Sequence, residues 1–520
     1  MSSLTLQEQF KAVDLAIQCK NIKLLLILAD SISHNYGNND LVIHELVRRL
    51  LSFGLFASAE RFLSYSLQSS SENSDSVALI AYIYLHSFRQ QLSCQKLTQL
   101  PVDSSHLMAL AYQYGENSFS ARLLAEQWFS RIASNNKPKY VHGVSNPRSI
   151  NVGFVSPDLC QHPVGLFLLP LVEQLSGLDH INLFFYDLKP RNDWLTLKLK
   201  KLGSVVDVHN LDDSKLANRI QNDHIAVLID LAGHTAGNRL HIFQLRCAPV
   251  QLSWLGYWAT TGIPDCFDGI ISDHLLVPSD SPEECSFVEP ILRLPHSRWC
   301  YQPVPWMPKT SLPPCLTNGF VTFGSFNSSP KINNVVFETW STILHRVPDS
   351  RLYLKNYQFI DEELQQSALQ NFNDLGISSE RIILQGPSSH ADLLAEYRSI
   401  DIALDTFPFN GGLTSCEALW LGLPLVSLLS VNTSAVMASR QGYSILEQID
   451  RSDWCASSID QYIDIAVNLS QDFSNLESIR LNQRPLMRKS SLCNSRLFSQ
   501  DFMELIYSIL RNKGIGILSE

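Results

Sequence analysis

Apolar residues recur at three- and four-residue intervals through residues 1–140, and strand-type alternation is nearly absent there. In LVIHELVRRLLSFGLFASAERFLSYSL (41–67), Leu, Ile and Phe fall on one stripe, as in helices packed by a single face. Polar breaks, HNYGNND (34–40) and SSSENSDS (69–76), divide the stretch into units of helix-hairpin size. LLAEQWFSRIA (123–133) reads as a closing helix. No clean consensus of about 34 residues repeats, so the region is expected to be all-α and TPR-like in kind. A polar segment with two prolines, Asn135–Pro147, reads as a linker.

Beyond it the period changes. Short β-rich runs alternate with helical stretches: INVGFVS (150–156), INLFFYDL (181–188), IAVLIDL (225–231), VQLSWLGY (250–257) and FDGIISD (267–273). Near-continuous apolar runs suit parallel strands covered on both faces. The Pro-rich LPHSRWCYQPVPWMPKTSLPPC (294–315) reads as an extended linker. The alternation then restarts with FVTFGSF (320–326), RLYLK (351–355), RIIL (381–384), DIALD (401–405) and PLVSL (424–428). The expected organisation is a helical region (1–140), an α/β half (148–300) and a second α/β half (316–520) with closing helices. Two Rossmann-like halves would leave a cleft between them, with ligands beyond the carboxyl ends of the strands.

Bulk properties narrow this picture. At 520 residues the chain has room for about three domains. Hydrophobic content is 45%, charged content 17%, formal net charge −10 and pI about 5.8. A mildly acidic globular chain lacks the basic footprint of a nucleic-acid binder, so any phosphate is expected to be held locally. Eleven scattered cysteines form no CxxC pair and no zinc-spaced cluster, which suits reduced thiols in a cytoplasmic protein. The first strongly apolar stretch, Leu24–Ala29, is too short to span a membrane.

Five segments carry candidate chemistry. DTFPFNGGLTSCE (405–417) follows a strand and opens a helix. Its glycine pair, Thr414 and Ser415 can cradle a diphosphate at the helix N-terminus, and Glu417 can reach a ribose. The alternative is an ordinary Gly-rich strand–turn–helix. In FVTFGSFNSSPKI, Lys331 follows a first-strand loop, well placed for a phosphate. VGFVSPDLCQHPVG places His162, and IDLAGHTAGNRL places His234, in equivalent post-strand loops. Each histidine could equally be structural. APVQLSWLGYWATTG (248–262) could line a sugar pocket or simply be core and turn. No pair of carboxylates stands out as acid and nucleophile, which argues against a glycosidase. Asp158 and Asp405 read as loop and strand-end structure, and Asp158 is close enough in sequence to orient His162.

Taken together, VGFVSPD…HPVG, LAGHT, RCAPVQLSWLGY, FGSFN…PKI, WSTILHRVPDSRL, DIALDTFPFNGG…TSCEALWLGLPLVSL and KSSLCN resemble the O-linked N-acetylglucosamine transferase family, including its SPINDLY branch. The resemblance covers about residues 148–510, in the family's order. It implies a GT-B fold, no metal or other cofactor, and inversion at the anomeric carbon. It implies that Lys331 neutralises the leaving diphosphate. Gly411, Gly412, Thr414 and Ser415 would form the phosphate-cradling turn, and Asn410 and Ser328, the latter at a family glutamine position, would also stand among the nucleotide-sugar-binding residues. Glu417 would contact the ribose, Gly256 would line the sugar pocket and His162 would be the active-site histidine. The base is expected to be His162, then His234, with the diphosphate itself as an alternative. The expected substrates are UDP-GlcNAc and Ser or Thr hydroxyls of a polypeptide presented by the helical region, which could also form a homo-oligomer. Several positions depart from the animal members. Leu393 stands at the uracil-stacking histidine, Phe409 at a small acetamido-pocket cysteine, and Asn218 and Gln221 at an acidic residue and a histidine. These changes leave GDP-fucose or UDP-glucose open as donor, a small molecule or glycan open as acceptor, and a catalytically weak scaffold open as another class.

Overall fold

The computed structural model describes residues 4–69, 73–133 and 149–515. The Asn135–Pro147 linker and part of the SSSENSDS break lie outside the described residues. The first region is a series of helices: Leu6–Gln18, Ile22–Tyr36, Asp40–Phe53, Phe56–Ser69, Ser74–His86, Gln90–Leu97, Ser104–Tyr112 and Ser118–Ile132. The polar breaks start these helices chemically. Side-chain oxygens of Asn21, Asn39, Asn73, Asp103 and Asn117 each accept a first-turn backbone N–H, satisfying donors that a helix leaves orphaned. Successive helices pack in pairs that begin at Leu6, Asp40, Ser74 and Ser104, the first three 34 residues apart. The tetratricopeptide period is therefore present in the geometry although no consensus spells it.

Two parallel sheets follow. The first contains β1 (Ile150–Ser156), β2 (Ile181–Asp187), β3 (Ser204–Asp207), β4 (Val227–Asp230), β5 (Val250–Ser253), β6 (Gly269–Asp273) and β7 (Ile291–Leu294), in the order β3-β2-β1-β4-β5-β6-β7. The second contains β8 (Thr322–Ser325), β9 (Arg351–Lys355), β10 (Ile382–Gln385), β11 (Ile402–Leu404), β12 (Leu425–Leu428) and β13 (Cys455–Ala456), in the order β10-β9-β8-β11-β12-β13. Every recorded strand pairing is parallel. Strands β4, β5, β6, β8 and β12 are buried at every position, because helices cover both faces.

The Pro-rich stretch is irregular, as its prolines require, yet it is packed rather than free. Arg298, Trp299, Cys300 and Tyr301 are at most 3% exposed, and Tyr301 N–H donates to Leu492 O. The last helix, Ser495–Asn512, returns across the first sheet. Its Phe502 and Phe498 rings lie 5.2 and 6.1 Å from Trp254, and Asp501 pairs with His296 at 2.7 Å. Among the described residues no helix is long and apolar enough to cross a membrane.

Candidate active site

Each sheet reverses its strand order once, between β1 and β4 and between β8 and β11. At such a switch point the chain leaves neighbouring strands in opposite directions and opens a crevice at their carboxyl ends. The loops at these positions carry His162, His234, Lys331 and the glycine pair.

The turn after β11 is held by Asp405, a fully buried strand-end carboxylate. Its Oδ1 accepts from Gly411 N (2.6 Å) and Thr406 N (2.9 Å), and its Oδ2 from Ser427 Oγ (2.7 Å). Burial pushes its pKa up to about 6, against these hydrogen bonds and the charge of Lys331. Asp405 is thus the residue that shapes the turn. Asn410 is also spent internally. Its amide donates to Thr406 O and Leu428 O, its Oδ1 accepts from Gly442 N, and the side chain is buried. The Asn410 side chain thus holds the turn together from within, with each of its polar atoms hydrogen-bonded inside the protein.

Gly411 leaves room for the two hydroxyls that follow it. A Cβ there would lie 2.4 Å from Ser415 Oγ and 2.8 Å from Thr414 Oγ1. The helix Leu413–Trp420 begins at Gly412 without a side-chain cap, leaving its first N–H groups and partial positive charge available. Ser415 Oγ is buried with no hydrogen-bond partner, and with Thr414 it lines a small crevice shared with Ser325, Asn327 and Tyr397. Thr414 Oγ1 donates to Asn327 Oδ1 at 3.3 Å.

Lys331 enters from the short 3₁₀ turn Ser329–Lys331. Its Nζ donates to Asn410 O (2.9 Å) and Asn327 Oδ1 (3.4 Å), and lies 4.4 Å over the Phe409 ring. Desolvation lowers its pKa to about 8, partly opposed by Asp405. The ammonium therefore stands at the mouth of the uncapped turn. Neighbouring Ser328 is exposed and its side chain caps nothing. Glu417 is buried and accepts from His390 Nε2 at 2.8 Å. Burial raises its pKa and His390 opposes this, so it presents a paired carboxylate.

Across the cleft, His162 caps the helix Pro163–Leu175. Its Nδ1 lies 3.4 Å from Val164 N and 3.7 Å from Asp158 Oδ2. Burial lowers its pKa, and Asp158 opposes the fall. Phe167, in the same helix, lies 4.0 Å from where a Gly412 Cβ would be, so this helix faces the glycine turn. His234 is different. It is 1% exposed, its Nε2 donates to Thr261 O (2.9 Å), and its Nδ1 accepts from Ser104 Oγ (2.9 Å). Burial lowers its pKa to about 4. With both ring nitrogens engaged, His234 pins the helical region to the first sheet. This corrects the expectation that it could serve as a base, because its one basic nitrogen faces Ser104 rather than the cleft and burial disfavours its protonated form.

Gly256 allows the loops after β4 and β5 to touch, since a Cβ would lie 1.9 Å from Leu231 O. Beside it, Trp258 meets Phe409 edge-on at 4.3 Å, and Tyr112 of the helical region stacks on Phe409 at 4.9 Å. Asn327, His390 and Tyr112 were not singled out from sequence. Only Asn327 carried a signal, its place in the loop ahead of Lys331. Among the described residues no group of three or more His, Cys, Asp or Glu side chains could hold a metal ion.

Two parallel-sheet α/β halves, with a lysine and an uncapped Gly-rich helix start in the loops of one and a histidine in a loop of the other, make a GT-B fold. The chain belongs to glycosyl transferase family 41, whose model matches residues 84–299 and 312–502. It is 35% identical over 372 residues to a probable UDP-N-acetylglucosamine–peptide N-acetylglucosaminyltransferase SPINDLY of Petunia hybrida, covering 70% of this chain and 39% of that protein. The Arabidopsis thaliana SPINDLY is 36% identical over 359 residues, covering 68% and 38%. The chain thus spans about two fifths of these relatives. A solved Thermobaculum terrenum O-GlcNAc transferase, a lysine-to-methionine mutant, superposes with TM-score 0.86 at 26% identity, covering 98% of both chains.

Proposed function

We propose that this protein transfers N-acetylglucosamine from UDP-GlcNAc to Ser or Thr hydroxyls of a polypeptide, with inversion and without a metal. The observation that carries the reading is the Lys331 ammonium at the mouth of the uncapped Gly411–Ser415 turn. A leaving diphosphate needs its growing charge neutralised, and preorganised donors do this best. Lys331, the first N–H groups of Leu413–Trp420 and the Thr414 and Ser415 hydroxyls supply them. Glu417 takes the ribose.

In the reaction an acceptor oxygen forms a bond to C1 from the face opposite the diphosphate, and the C1–O bond to the diphosphate breaks. The acceptor proton passes to a base, a contribution of ~10²–10⁴ in rate. His162 is that base in the tautomer whose Nδ1–H faces Asp158. In the other tautomer Nδ1 accepts from Val164 N, and Nε2–H can only donate. The diphosphate is then the proton acceptor. The SPINDLY relatives, named as peptide N-acetylglucosaminyltransferases, support the sugar and the peptide acceptor, and the Thermobaculum O-GlcNAc transferase supports the sugar. Eleven free cysteines support a reducing, cytoplasmic setting.

One observation favours a second donor. Phe409 is 6% exposed and wedged between Tyr112, Trp258 and Lys331, leaving less room for an acetamido group than a small side chain would. UDP-glucose or GDP-fucose is then the donor. A thermal-shift and hydrolysis panel of UDP-GlcNAc, UDP-glucose and GDP-fucose, with Lys331→Ala as control, decides between them. EDTA is expected to leave the rate unchanged. No response to any donor would remove the enzymatic reading in favour of a partner-binding scaffold.

A further inference from the structure

The lysine loop has little rigidity of its own, being one 3₁₀ turn of three residues with no side-chain cap. It is held from outside, by the helical region. Gln90, at the start of Gln90–Leu97, is 4% exposed, and its Nε2 donates to Pro330 O (3.0 Å) and Ile332 O (3.1 Å). These are the carbonyls on either side of Lys331. Ser329 Oγ donates back to His86 O at 2.8 Å. Between them Phe88 has φ of +63° and is 3% exposed, with its ring edge-on to Phe337 at 5.4 Å. The clamp is anchored in turn on its own side, where Arg89 pairs with Glu60 at 2.5 Å and lies 4.4 Å over Tyr84.

We infer that Gln90 is a positioning residue for Lys331, through which the helical region sets the ammonium of the donor site. Gln90 touches neither donor nor reacting atoms. Its amide fixes two carbonyls that bracket the lysine, and so fixes where Nζ stands against Asn410 O. A misplacement of about 1 Å in such a group can cost ~10²-fold in rate. This inference rests on the donor-site reading above.

The test is a double-mutant cycle with Gln90→Met and Lys331→Met, which separates action through the lysine from general damage. UDP affinity is read by calorimetry and kcat/KM by UDP-GlcNAc turnover. Gln90→Met is expected to weaken UDP binding about 10-fold, and kcat/KM by about 10- to 100-fold. Added to Lys331→Met, it is expected to weaken UDP binding less than twofold further. Equal factors in both backgrounds, or no effect in the wild type, would overturn the inference. Ser329→Ala is the second variant, expected to show a smaller loss with the same non-additivity. Should wild-type protein bind no UDP and turn over no donor, the donor-site reading fails. The clamp is then judged by hydrogen exchange of amides 326–329 and 331–333, which needs no donor. Faster exchange in Gln90→Met keeps the clamp, and unchanged exchange removes it.

Discussion

Replacing Lys331 by Met removes one ammonium from the donor site while nearly keeping side-chain length. In the structure that ammonium has two oxygen partners, Asn410 O at 2.9 Å and Asn327 Oδ1 at 3.4 Å, and an aromatic face beneath it. It has no carboxylate within ion-pair distance among the described residues, so its charge is available to a diphosphate. Loss of one such preorganised group is expected to cost ~10²–10³ in kcat, about 3–4 kcal/mol. The pH dependence follows from the lowered pKa. Only the protonated form neutralises the leaving group, so wild-type kcat/KM is expected to fall tenfold per pH unit above about 8. The Lys331→Met profile should lack that limb. Burial disfavours the ammonium in the folded state, so the variant is expected to melt at the same temperature or higher. Initial rates of UDP-GlcNAc hydrolysis and peptide transfer from pH 6 to about 9.5 supply the measurement. Turnover within threefold of wild type, or a variant that keeps the alkaline limb, would refute the reasoning.

Three further outcomes are expected. Gly411→Ala pushes a Cβ to 2.4 Å from Ser415 Oγ and 2.8 Å from Thr414 Oγ1; both hydroxyls can rotate away, so UDP affinity should drop at least about tenfold with only a small change in melting temperature, and unchanged calorimetric affinity would count against the phosphate turn. Asp158→Asn removes the charge that holds the His162 pKa up, so the acidic limb of kcat/KM should move to lower pH; a limb that stays put means His162 is not the base. His234 is held neutral, with a folded pKa of about 4 against 6.5 unfolded, so its contribution to stability is complete above pH 6.5 and is lost as pH falls towards 4. The stability gap between wild type and His234→Gln should narrow by about 2 kcal/mol from pH 7 to about 5, read from urea midpoints, and a constant gap would show that the imidazole is not buried neutral.

The two-sheet architecture was legible because most of the strands that build it are near-continuous apolar runs bounded by turn residues. INVGFVS and RLYLK coincide with β1 and β9 residue for residue. The strands not anticipated are β3, β7 and β13. All three lie at sheet edges, where β3 has no buried position, β7 has one and β13 is two residues long. Such pieces form because a neighbouring strand offers unpaired backbone groups, which leaves little trace in their own composition. The glycine turn and the Lys331 loop were legible because a phosphate site needs particular residue types at fixed spacing.

The chain pattern by itself determined the helical front, the two α/β halves and the loops that carry Lys331, His162 and the Gly411–Ser415 turn, since local period and turn chemistry act over a few residues. Only the tertiary structure decided which polar groups are free. His234 and Asn410 looked like His162 and Thr414 from sequence, yet their partners, Ser104 and Thr261 in one case and Leu428 and Gly442 in the other, come from distant segments. A buried polar group must find such partners. Once found, they remove it from chemistry, and no spacing along the chain records the exchange.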